Sequence, residues 1–171
     1  MKYQARTLLT FLLLFAFHLD TSTAQTSLSG FLNIPFGTKM ETAKKLLLQK
    51  PGVKFIRRSD CNNLYFTGFS MGAYKADTCI LMESSLKGRF ESSNLVFYSK
   101  AALLEEIYEL FCAQYGTPAK ISPKDNEIFY RWDFPLKGSK YKNSITLQNV
   151  SAADYFILRY SGTGMLYPGW L

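Results

Sequence analysis

The chain has 171 residues, 47% of them apolar and 16% aromatic, enough to bury a core of ordinary domain size, which excludes a disordered or low-complexity protein. Twenty Lys and Arg against thirteen Asp and Glu give a formal charge of +7. One histidine and three cysteines leave few residues for nucleophilic or metal chemistry.

The first element in chain order is an export signal. Lys2 and Arg6 form a basic start, an apolar run extends from Leu8 to Leu19 with only Thr10 and His18 intervening, and a polar stretch ends in Ser22-Thr23-Ala24. This order predicts a secretory signal peptide over residues 1–24, cleaved between Ala24 and Gln25. The apolar run is about a dozen residues, short of the roughly 20 that a spanning helix needs. No Cys follows the cleavage position for lipid attachment. The expected product is a single globular domain over 25–171 without a membrane anchor, either periplasmic or secreted.

Next comes a helix beginning at Thr38, where Thr38 and Glu41 have capping-box spacing. Met40, Ala43 and Leu47 follow on one face, and Pro51-Gly52 ends the helix. Strand patterns are then predicted at 53–57, 63–69, 77–84 and 89–98. A second helix is predicted from Ser99 to Tyr115, with an apolar stripe of Leu104, Ile107, Phe111 and Tyr115 and a stop at Gly116 and Pro118. Behind it Ile128, Tyr130, Trp132 and Phe134 alternate with Glu127, Phe129, Arg131 and Asp133, which is a half-buried strand. Residues 144–148 and 154–160 read as two more strands. The predicted fold class is α+β: a tandem repeat of one helix followed by three to four antiparallel strands, both helices on one face of the sheet. The halves span about 34–98 and 99–160, with a C-terminal tail over 161–171.

Loss of the signal peptide removes His18, the only histidine. Histidine-dependent triads, general bases and zinc sites are therefore excluded from the expected product. Cys61, Cys79 and Cys112 are widely spaced and suggest no metal site. No metal and no cofactor is expected. In an oxidising compartment they permit one bridge, and a hairpin turning at Ser70 would set Cys61 opposite Cys79. The carboxylates open to enzymology are Glu105, Glu106 and Glu109 on the second helix and Glu127 with Asp133 on the following strand.

Losing Lys2, Arg6 and Asp20 takes the basic and acidic residues to 18 and 12, a net charge of +6. Lys44, Lys45 and Lys50, then Lys54, Arg57 and Arg58, then Lys137, Lys140 and Lys142 are spread along the chain as solvated faces. They predict solubility or contact with an anionic surface rather than nucleic acid.

The segment Ile34-Pro35-Phe36-Gly37-Thr38, with Ala43 and Leu47 on the helix behind it and a meander of strands next, resembles small exported bacterial proteins. Two such groups are the small lipoprotein of the outer-membrane barrel-assembly machine and the tandem-repeat β-lactamase inhibitor proteins. The resemblance implies a short helical part on an antiparallel sheet and protein binding without catalysis. The lipidated cysteine of the lipoproteins is missing here, and no functional residue is carried over.

The function expected is thus an exported non-catalytic protein-binding module, an inhibitor or envelope assembly factor whose partner is a protein of the cell envelope or exterior. The alternative is a small carboxylate-dependent hydrolase of cell-envelope glycan or lipid. The expected binding residues are Phe129 and Arg131, outward on their strand, and Tyr65 in the first half. The intact mass of the exported product should correspond to a chain beginning at Gln25, and retention of residues 1–24 would overturn the export reading.

Overall fold

The structure is a computed structural model that describes residues 27–84, 88–98, 101–121, 128–150 and 154–162. The expected signal peptide, Ser99, Glu127 and the tail beyond Gly162 lie outside the described residues.

The first element is a hairpin that the sequence reading did not anticipate. Strands β1 (Gly30–Phe31) and β2 (Ile34–Pro35) pair with Phe31 opposite Ile34, leaving Leu32-Asn33 as a two-residue turn with φ of 53° and 66°. Two positive φ values in succession are the turn geometry that matches strand twist. Asn accepts that conformation readily and Leu does so at a steric cost. Burial of Phe31 and Ile34, with Leu32 packed against the core, offsets it.

Helix α1 (Met40–Leu48) buries Met40, Ala43 and Leu47, the face its spacing predicts. Its start corrects the capping-box expectation. The N-cap is Lys39 and makes no side-chain cap bond. Thr38 Oγ1 donates instead to the Pro35 carbonyl at 2.7 Å, and Glu41 pairs with Arg58. The orphan amide of Met40 donates to the Gly88 carbonyl at 2.9 Å, while Phe90 N–H donates to Thr38 at 2.8 Å. A neighbouring backbone segment thus supplies the acceptor that a cap side chain would otherwise provide.

The remaining strands are β3 (Lys54–Arg58), β4 (Leu64–Thr67), β5 (Ser70–Met71), β6 (Tyr74–Lys75), β7 (Thr78–Glu83) and β8 (Phe90–Phe97). After helix α2 (Ala101–Tyr115) come β9 (Ala119–Ile121), β10 (Ile128–Pro135), β11 (Lys142–Val150) and β12 (Tyr155–Gly162). Eight of them form one antiparallel sheet in the order β3-β4-β7-β8-β12-β11-β10-β9.

The expected α+β tandem repeat is corrected by this architecture. The described residues are mostly β, with 49% strand and 19% helix, and the elements do not repeat as a unit. A nine-residue α1 contrasts with a fifteen-residue α2. The β1–β2 and β5–β6 hairpins precede α2 and have no counterpart among the described residues after it. Similar element order misled the reading because alternation of apolar and polar residues shows that strands exist, not that two sets of them are equivalent.

The inward side of the sheet carries Leu64, Phe66, Cys79, Leu81, Leu95, Phe97, Trp132, Ile145, Leu147 and Leu158, all in one buried cluster with residues of both helices. On α2, Ile107 and Phe111 are buried, and the Tyr108 ring lies 4.5 Å from Tyr130. Trp132 Nε1 donates to the Gly116 carbonyl at 2.8 Å, tying β10 to the end of α2. Gly116 itself (φ 81°) donates to the Cys112 carbonyl and closes the helix.

Gly68 has φ 77°, and a Cβ there would collide with the backbone carbonyl of Gly52. Gly68→Ala should therefore lower unfolding stability in urea by about 2 kcal/mol. An unchanged midpoint would mean that these two backbones are not in contact.

Candidate functional site

A strand in an antiparallel sheet sends alternate residues to opposite faces, and directly opposed residues on neighbouring strands share a face. Applying the observed register to the side away from the core gives one unbroken row across the whole sheet: Arg57, Tyr65, Ile80, Asn94, Arg159, Thr146, Arg131 and Ala119. None of these residues belongs to the core cluster. A parallel row one step along runs Val96, Ile157, Gln148 and Phe129. On the other side lie Ser92, Ser161, Ser144 and Asp133.

The structure places Tyr65, Phe129 and Arg131 on this one face. Arg131 and Phe129 alternate on β10, so they are neighbours. Tyr65 is five strands from Arg131 in the same row, which is about 24 Å at the usual strand spacing. The Arg57 guanidinium lies 4.4 Å above the Tyr65 ring. Arg159 Nε donates to Asn94 Oδ1 at 2.9 Å, and Asn94 is only 7% exposed. Arg131 Nε donates to Asp133 Oδ1 at 2.7 Å, and Lys142 Nζ approaches the other carboxylate oxygen at 3.4 Å.

Arg57 and Arg159 were missed as site residues by sequence reasoning. Arg159 has a local signal, since it stands between the buried Phe156 and Leu158 and the ring of Tyr160 in an alternating strand. That it shares a row with Tyr65 and Arg131 depends on register, which no local pattern encodes.

The candidate acids among the described residues sit on separate elements, α2 and β10. Glu105, Glu106 and Glu109 are exposed on α2, away from its buried stripe. Asp133 is engaged by Arg131 and Lys142, and Glu127 lies outside the described residues. A cleft of about 260 Å³ beside the β1–β2 turn is bordered by Leu32, Asn33, Tyr115 and Tyr160, and one of about 300 Å³ by Asn33, Leu46 and Lys50; neither has a carboxylate in its wall. Among the described residues no group of three or more His, Cys, Asp and Glu side chains gathers in metal-binding geometry. No helix among them is long and apolar enough to cross a membrane.

The expected Cys61–Cys79 bridge is corrected by the register. The hairpin between β4 and β7 extends through β5 and β6 and turns at Gly72, not at Ser70, so Phe66 stands opposite Cys79. Cys61 sits in the β3–β4 turn, closed by Ser59 and Asn63. All three cysteines are free: Cys61 is exposed, Cys79 is buried and Cys112 is half-buried.

Burial pushes the Cys79 thiol from about 9 up to about 12. Tyr160 and Tyr115 are raised by the same cause, Tyr160 further by its neighbour Tyr115. A raised folded-state value means that the stabilisation is complete below the unfolded value and is lost as pH climbs through the folded one. Stability should fall for Cys79 between about pH 9 and 12, by at most about 1.4 kcal/mol per pH unit. At pH 8 a thiol reagent should label Cys61 in the folded protein and Cys79 only after unfolding, with all three thiols titrating in the unfolded, unreduced chain. Fewer than three would restore a bridge.

No protein family, no curated protein and no solved structure matches this chain.

Proposed function

We propose that the protein is an exported, non-catalytic protein-binding module, an inhibitor or envelope assembly factor, that meets its partner with the outward face of the sheet. The observation that carries this reading is the cross-strand row of Arg57, Tyr65, Arg159 and Arg131 on the face opposite the core. Arginine and aromatic side chains dominate binding hot spots, because they combine large contact area with directional hydrogen bonding. Both helices are spent on the inward side, so the outward row has no role in holding them.

Three further observations support it. The pattern of residues 1–24 supports export, and the resemblance of the segment from Ile34 to Thr38 to exported binding proteins points the same way. The walls of both clefts, which hold no carboxylate, favour binding over hydrolysis, since acid–base cleavage needs two carboxylates converging on one pocket.

Phe129→Ala combined with Arg131→Ala should weaken capture of the native envelope partner at least about tenfold, equivalent to a hot-spot loss of about 1.4 kcal/mol. The thermal midpoint should stay within a few degrees, since Phe129 and Arg131 are outside the core cluster. Unchanged capture, or a variant that unfolds, would show that this end of the face is structural.

A further inference from the structure

The charge on the binding face is one-sided, and its geometry says what kind of partner fits it. The outward strand positions carry Lys54, Arg57, Arg131, Lys142 and Arg159, against Asp133 and the Glu91 of the β8 bulge. Asp133 is shared between Arg131 and Lys142. The recorded partners of Arg57 and Arg159 are neutral, a tyrosine ring and an asparagine amide. Those contacts hold each guanidinium in place without cancelling its charge.

We propose that this row is a docking track for an acidic polypeptide segment, extended across the strands, with carboxylates seated on Arg57, Arg159 and Arg131. The inference rests on the binding-module reading and specifies the partner's chemistry. Arg131 and Arg159 are two strands apart, about 10 Å, and Arg159 and Arg57 four strands apart, about 19 Å, at the usual strand spacing. A chain in the polyproline II conformation rises about 3.1 Å per residue with three residues per turn, so every third side chain points the same way. Acidic residues three and then six positions further along such a segment therefore fall over the three arginines in turn. A guanidinium presents a planar fork that matches a carboxylate with two parallel hydrogen bonds, and holding it beforehand reduces the entropy lost on binding. Thr146 lies between Arg159 and Arg131 and offers a hydrogen bond to a peptide backbone. A lipid surface asks instead for a broad basic patch with exposed apolar residues to insert, and the row is a single line whose apolar member Ile80 and apolar neighbours Val96 and Ile157 are buried or half-buried.

The test uses protein produced from the full 171-residue sequence. The probe is a peptide of about twelve residues with glutamate at every third position and Gly, Ser or Pro between, a spacing set by the three-residue turn of polyproline II. The expected result is saturable binding that weakens about tenfold in ~0.5 M salt. It should be absent for the same peptide with glutamine, and weakened about tenfold by Arg159→Gln and again by Arg57→Gln. Arg57→Gln lies on the exposed edge strand and keeps the test decisive if Arg159→Gln fails to fold. Equal binding of the glutamine peptide, or undiminished binding by a folded Arg57→Gln variant, overturns the inference. So does preferential binding to vesicles containing anionic phospholipid or to a polyphosphate. If the glutamate peptide is not bound while Phe129→Ala with Arg131→Ala still abolishes capture of the native partner, the acidic track fails and the binding face stands.

Discussion

Pairing of β8 with β12 holds the molecule together. The two strands are about 60 residues apart in the chain, yet Ser92 to Phe97 face Ser161 to Phe156 in continuous antiparallel register. Without that ladder the strands before α2 and those after it would be two separate antiparallel meanders. Leu95 and Leu158 are opposed and fully buried, and the rings of Phe97 and Phe156 stack at 4.8 Å with planes 10° apart. Burial of such side chains contributes roughly 1.5–3 kcal/mol each, which is what offsets the entropy of closing so long a loop.

Everything inward of that seam is organised by aromatic packing. Phe31 of the first hairpin lies 5.1 Å from Tyr160 and 5.7 Å from Phe69, so the N-terminal segment is fastened to the last strand of the sheet. Asn143 donates to the Leu28 carbonyl, satisfying a buried amide in the same region. At the free edge β3 exposes Phe55 and Ile56, an arrangement that invites pairing with another chain. Lys54, Arg57 and Arg58 and the irregular register between Phe55 and Arg57 oppose it. Lys44 over the Phe55 ring and the Arg58–Glu41 pair bind that edge back to α1.

The consequence for function is a division of labour by face. Inward residues are committed to packing, and substitutions there are read as stability. Outward residues make few contacts that the fold requires, so a change in them would reach the proposed partner without first unfolding the chain. Asn94, Val96 and Ser144 are exceptions, buried although they stand on the outward face.

The local pattern of residues determined a good deal. Met40, Ala43 and Leu47 fixed the buried face of α1, Ile107 and Phe111 that of α2, and the alternation around Trp132 and Phe134 the orientation of β10, because helical and strand periodicities are properties of the chain itself. Gly116 likewise marked a helix end, since φ of 81° is costly for other residues. Tertiary structure alone decided the rest. The capping box at Thr38 yielded to a bond from Met40 to the Gly88 carbonyl and one from Phe90 to the Thr38 carbonyl, the Cys61–Cys79 pairing to a hairpin that turns at Gly72, and the equivalence of two halves to one mostly β sheet. It also brought Arg57, Tyr65, Arg159 and Arg131 into line, through pairings between residues as distant as Asn94 and Arg159. Strand register is set by the summed burial of both faces, and a shift of one residue would invert every side chain without altering any local pattern.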